Sequence, residues 1–340
     1  DDTCLICNKN NADKKGSHFT PIGILKQVVG ERDYEHEVTI DPHKGKVSER
    51  KGRSNLSNTN TEIIASDNVA DYIFCNECER RLGVIESECI KKLNDFSTEI
   101  STLKLQKSKQ SNNFFTFENP NKNVVSLFFY SIIWRQILND SLQDRLQFDK
   151  RFFEQLRQII YSEVYKPVKD IELATYYSSF PSLIILTSDH SQSKTTGFTY
   201  GPFPVVANPE TFTIGLYTAL IFIDSKPSQN FPEASGFKIM VVDPELVINQ
   251  SAKGVIGVLE INEWETHNNI LYNKAAIDFS NVYIHEIEQS TGLGYEASKL
   301  LLQQEIALLE KMPVDAELFE RAFRTATNNV VSKFKLSRNL

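Results

Sequence analysis

Apolar residues between Leu82 and Phe96 fall at three- and four-residue steps (Leu82, Ile85, Cys89, Leu93, Phe96), and charged residues fill the other face. That is one stripe of an amphipathic helix. Two further helices are predicted, over about 123–140 (Val125, Phe128, Phe129, Ile132, Ile133, Leu138) and about 149–165 (Phe152, Phe153, Leu156, Ile159, Ile160). Between the first helix and this pair, the polar stretch 104–123 has no regular apolar period and carries Asn119-Pro120, which places a domain boundary near residue 112.

From 170 to 243 the pattern changes to β-branched and aromatic runs broken by Pro, Gly and Ser-Asp: "IELATYY", "SLIILTS", "FPVVA", "TFTIGLYTALIFID" and "FKIMVVD". This predicts about five strands. No segment of helix length separates them, so an antiparallel sheet is expected and parallel crossovers are not. The C-terminal part returns to helical spacing near 264–278, 295–311 and 315–336, with Pro313 closing the middle one and Asp315 placed to cap the last. The expected class is α+β: a unit over 1–112, then a domain over 113–340 with a mostly antiparallel sheet flanked by helices.

Composition adds limits. Of 340 residues, 41% are hydrophobic and 24% charged, as in a globular chain. The net charge of −7 excludes a molecule that is basic overall and built for nucleic acid on charge alone. The longest apolar runs, 124–133 and 216–223, are short of the ~20 residues that cross a bilayer, so no membrane partner is expected. The start lacks the pattern of a secretory signal, and a cytoplasmic setting is expected.

The five cysteines change the picture more than the composition does. Cys4 and Cys7 form one Cys-x-x-Cys clip, and Cys75 and Cys78 form another at the head of the Leu82–Phe96 helix. Each clip supplies two thiolates from one turn, and two clips complete a tetrahedral shell for structural zinc. The alternative is a redox dithiol in one clip, but neither clip sits in a βαβ pattern. Cys89 falls on the apolar stripe and reads as a small core residue. A turn clip, a strand pair ("VADYIFC" supplying one strand), a second clip and a helix follow the order of a treble-clef finger.

Between the clips stands Ser17-His18-Phe19-Thr20-Pro21. With Cys4–Cys7 before it and Cys75–Cys78–Glu79 after, this stretch resembles the HNH-like treble-clef superfamily. It is closer still to a bacterial group with a Ser-His-x-x-Pro motif and a Cys-x-x-Cys-Glu second clip. "FYSIIWRQ" (129–136) is also similar to a segment of that group. The resemblance covers about residues 1–95. It implies a role with DNA or RNA in a bacterial anti-phage system, and another protein of that system as a partner. It also implies His18 as general base on a water, with a Mg²⁺ or Mn²⁺ ion at the phosphate. Ser17 replaces the family's Asp and is a poor ligand for a hard cation. Glu79 stands where the helix Asn or His is usual and would supply a carboxylate. Asp71 lies near, but out of register with, the family's middle Asn. The motif is thus an incomplete one for a metal-dependent nuclease.

Plainer readings stand beside these. His18 can brace the hairpin by hydrogen bonds, and Glu79 can favour the positive end of its helix. Arg80 and Arg81 can meet phosphate or simply face solvent. Lys44, Lys46, Arg50, Lys51 and Arg53 lie in a Gly- and Ser-rich stretch (42–61) that reads as a loop, either touching a nucleic-acid backbone or solvated. Asp189-His190 is expected on a surface loop. A second functional reading keeps the finger as a staple, with 113–340 binding a protein or a ligand.

Overall fold

In the computed structural model, the described residues are 3–24, 37–41, 46–50, 68–98, 102, 104–108, 113–117, 121–142, 150–173, 176, 180–188, 199–200, 210–214, 216–222, 253–260, 277, 279–308 and 316–338. They divide into two units, a larger one (1–34 and 67–271) and a smaller one (35–66 and 272–340).

The larger unit opens with the first clip and a minimal strand pair, β1 (Ser17–His18) against β4 (Val69–Ala70). Helix α1 (Asn76–Thr98) follows and buries Leu82, Ile85, Cys89 and Leu93, the stripe expected from the spacing. Helix α2 (Asn121–Leu142) is apolar almost all round, and Val124 through Leu138 are buried without a break. A helix of that kind has neighbours on every side. Here they are α1, α3 (Lys150–Val164) and the sheet.

Among the described residues the sheet is mixed and has seven strands: β5 (Gln106–Lys107), β6 (Asn113–Phe117), β7 (Ser182–Ser188), β8 (Thr199–Tyr200), β9 (Glu210–Ile214), β10 (Tyr217–Ile221) and β11 (Gly254–Glu260). Their order is β5-β6-β11-β7-β10-β9-β8. Central β7 and β11 run parallel, with Gly257 opposite Ile185, while the other neighbours are antiparallel. Within 170–243 the described pairings are antiparallel, as expected, and the parallel pair comes from outside that region. The parallel partner, β11, lies beyond the 170–243 region from which the sheet was read. The run "TFTIGLYTALIFID" folds as the β9–β10 hairpin, with Thr213 and Thr218 paired across it at 3.0 Å between hydroxyls. Strand β6 comes from the stretch whose polar character hid it. "IELATYY" forms no strand at Ile171–Leu173. "FPVVA", "FKIMVVD" and Asp189-His190 lie outside the described residues.

One hydrophobic core runs from Cys4, Phe74 and Leu82 through α2 and α3 to Ile184, Phe212 and Ile256. Residues on both sides of position 112 therefore share it.

The smaller unit contains the hairpin β2 (Glu37–Asp41) and β3 (Lys46–Arg50), a helix over 279–291 named α4, α5 (Tyr295–Leu308) and α6 (Ala316–Arg338). Phe279, Tyr283, Ile287, Leu302, Phe323 and Val330 form its core. α4 was not foreseen, and the expected 264–278 helix lies almost wholly outside the described residues. α4 ends at Gly292, whose φ of +73° and amide bond to the Glu288 carbonyl (2.8 Å) make a left-handed cap.

Candidate metal centre

The Cys4–Asn10 turn closes on itself. The Cys4 amide donates to the Asn10 carbonyl and the Asn8 amide to the Cys4 carbonyl, both at 2.8 Å. Asn8 takes the left-handed conformation (φ +52°), which Asn tolerates well. The Leu5 amide then donates to the Ile73 carbonyl at 2.9 Å and the Lys14 amide to the Phe74 carbonyl at 3.0 Å. These bonds lay the first clip beside the segment leading into the second. The Asp13 carboxylate accepts from the Asn76 amide at 2.8 Å, capping α1 from a distant part of the chain. That bond holds the Asp13 carboxyl below its ordinary range.

The result is a single buried cluster. The sulfurs of Cys4, Cys7, Cys75 and Cys78 all lie within 4.8 Å of one another, and none is in a disulfide. Several N–H groups point at sulfur, among them the Asn10 amide at Cys7 (3.5 Å), the Asn10 side chain at Cys75 (3.6 Å) and the Cys78 amide at Cys75 (3.4 Å). The Tyr165 hydroxyl lies 3.2 Å from the Cys78 sulfur. The crowding splits the proton affinities. Cys4 falls to about 4 because Cys78 donates to its sulfur, and Cys78 rises correspondingly. Burial raises Cys75. Four thiolates this close can coexist only around a cation. A buried tetrahedral sulfur set with supporting N–H donors is the environment Zn²⁺ takes in structural sites. Cys89 lies apart from the cluster, buried on α1 with its thiol raised by burial.

His18 and Glu79 both feel the charges of Arg135 and Glu86. Arg135 of α2 has a side chain only 2% exposed and pairs with Glu86 at 2.7 Å. It also donates to the carbonyls of His18 (3.0 Å) and Ser131 (3.2 Å). A buried cation in a helix that is apolar almost all round has to find such partners. Trp134 beside it is a packing residue, stacked on Phe74 (6.0 Å) and Phe153 (5.3 Å). His18 is lowered below its usual range, chiefly by burial, with the Glu86 charge opposing. Burial raises Glu79, with Arg135 opposing. The Ser17 hydroxyl is near enough to counter that rise slightly, but neither Ser17 Oγ nor Glu79 Oε2 completes a hydrogen bond. Among the described residues, only the four cysteines bring three or more thiol, imidazole or carboxylate groups within reach of one ion. His18 and Glu79 form no such set. Asp71 accepts from the Gly16 amide at 2.7 Å and serves the turn into β1.

Of the basic residues at 44–53, Lys46 and Arg50 fall on β3 in the smaller unit, where the register sets Lys46 opposite Asp41 and Arg50 opposite Glu37. A regular strand over 46–50 replaces the loop expected there. Lys44, Lys51 and Arg53 lie outside the described residues. No described helix is long and apolar enough to cross a membrane. Comparison with protein-family models, curated proteins and solved structures finds no match.

Proposed function

We propose that the chain is a zinc-stapled protein of HNH-like treble-clef type that binds nucleic acid. The observation that carries the zinc reading is the convergence of four buried, unbridged cysteine sulfurs from two clips about seventy residues apart. The treble-clef reading draws support from the chain order: turn clip, β1 and β4, second clip, α1. Nucleic acid and a place in a bacterial anti-phage system come from the resemblance of Ser17-His18-Phe19-Thr20-Pro21 and Cys75–Glu79 to that superfamily.

The catalytic version keeps one observation in its favour. His18 and Glu79 flank the same Arg135–Glu86 pair, with the buried Ser17 Oγ and Glu79 Oε2 left without partners. His18 would serve as base and Glu79 as a ligand for Mg²⁺ or Mn²⁺. The structural version draws on the continuity of the core from the clips into α2, α3 and the sheet. In it the finger holds the α+β body, which binds a protein or a ligand without catalysis.

Incubation of purified protein with plasmid and with RNA, in Mg²⁺, Mn²⁺ or EDTA, beside His18→Ala, separates the two. Metal-dependent cleavage lost in the variant supports the nuclease. Binding without cleavage supports a binding protein, and neither binding nor cleavage of any nucleic acid refutes both nucleic-acid versions.

A further inference from the structure

Three elements of the larger unit bring cations and aromatic rings onto one outer line. Helix α3 carries Tyr161 and Tyr165, four residues apart and therefore on one face. Their rings meet edge to face with centroids 5.5 Å apart, and both are half-buried. Lys9, on the loop of the first clip, stands 5.0 Å from the Tyr161 ring centre and donates to its hydroxyl at 2.7 Å. From α1, the Arg81 guanidinium stands 5.7 Å from the Tyr165 ring centre. Arg80, exposed beside it, shares the single carboxylate of Glu77 with Arg81. Lys9 has no described carboxylate partner. Lys9, Arg80 and Arg81 thus have only Glu77 as a described carboxylate partner, although the whole chain carries a net charge of −7. The Tyr165 hydroxyl also touches the Cys78 sulfur at 3.2 Å, which ties the ring to the cysteine cluster.

We propose that Lys9, Tyr161, Tyr165 and Arg81 form a contact ledge for single-stranded nucleic acid. The proposal rests on the nucleic-acid reading above and names the form of substrate and the surface that takes it. Unpaired bases offer π-faces that a duplex hides within its stack. Tyrosine rings and the flat face of an arginine guanidinium both stack with bases. The Arg81 guanidinium already stands beside the Tyr165 ring, and a base would join the two. Lys9 at one end and Arg80 at the other lie where the phosphates of the same strand would pass, each contact releasing condensed counterions.

The test is fluorescence anisotropy on the zinc-loaded full chain. The probes are short labelled poly-uridylate and poly-thymidylate strands and a duplex of the same length, at several salt concentrations. The variants are Lys9→Glu, Tyr161→Leu and Arg81→Gln, each checked for zinc content and circular dichroism. The expected result is preference for a single strand over the duplex, weakened about 5- to 100-fold by Tyr161→Leu. Lys9→Glu should also flatten the salt dependence by about one phosphate contact. The two single strands separate RNA from DNA. If the parent binds a strand and all three variants bind it equally well, the ledge is refuted while nucleic-acid binding stands. If the parent binds neither strand nor duplex, both readings fall. If poly-glutamate displaces the strand and Tyr161→Leu has no effect, the ledge recognises acidic protein and the proposal is overturned.

Discussion

Arg135→Ala removes the one cation that α2 places between the β1 turn and α1. Its guanidinium is 2% exposed and Glu86, its partner at 2.7 Å, is 20% exposed. After truncation Glu86 keeps its charge, with Glu79 close enough to feel it. The His18 carbonyl also loses a donor at 3.0 Å. Breaking a buried pair from one side costs about 3–5 kcal/mol, more than any exposed pair is worth, because a charge is left without compensation. For a unit of this size that corresponds to a drop of about 6–20 °C in Tm. The assay is urea and thermal unfolding followed by circular dichroism. Arg135→Met combined with Glu86→Leu removes both charges, and the double variant should recover most of the loss. A single-variant loss below about 1 kcal/mol would place the pair with ordinary surface ion pairs. A double variant no better than the single would also refute the reasoning.

Three further outcomes are expected. Gly254→Ala should destabilise by about 1–3 kcal/mol, because a Cβ there would sit 2.3–2.5 Å from the Phe117 ring on the paired strand; adding Phe117→Leu should recover part of that in denaturant melts, and unchanged stability of the single variant would contradict the packing. Burial holds the folded His18 imidazole below its ordinary value of 6.5, so the unfolded chain binds that proton more readily. Stability should therefore fall as pH drops below about 6.5, beyond any fall shared with His18→Gln, and show no His18 contribution above it; parallel curves for the two proteins would refute this. Tyr165→Phe removes the hydroxyl 3.2 Å from Cys78 and should lower zinc affinity about 10- to 100-fold in a chelator competition; unchanged affinity would remove Tyr165 from the support of the site.

The parts of the fold that were legible in the sequence were those with a short-range signature. Two Cys-x-x-Cys turns announce thiolate pairs whatever lies between them, and their sulfurs do converge. The Leu82–Leu93 stripe and the unbroken apolar run of α2 give helices because burial on one face, or on all faces, leaves a period in the residues. What escaped was set by distant partners. β6 has only "NFFTF" to show, in a polar neighbourhood, and gains its place by pairing with β11 far along the chain. The parallel β7–β11 contact joins residues about seventy positions apart, which no local pattern records. β3 reads as a Gly- and Ser-rich loop until its pairing with β2 is seen. At the site, His18 and Glu79 were named from motif spacing, whereas the partners of Arg135, which stands within the quoted "FYSIIWRQ", lie on other elements and leave no local pattern.

The measurement that bears most directly on the whole account is metal analysis of the purified chain with sulfur-sensitive X-ray absorption at the zinc edge. The account predicts one zinc per chain with four sulfur neighbours at about 2.3 Å, and loss of that signal together with the folded core of the larger unit when Cys4 and Cys75 are both replaced by Ser. A chain that folds stably with no stoichiometric zinc, or that holds zinc through oxygen and nitrogen ligands, would contradict it.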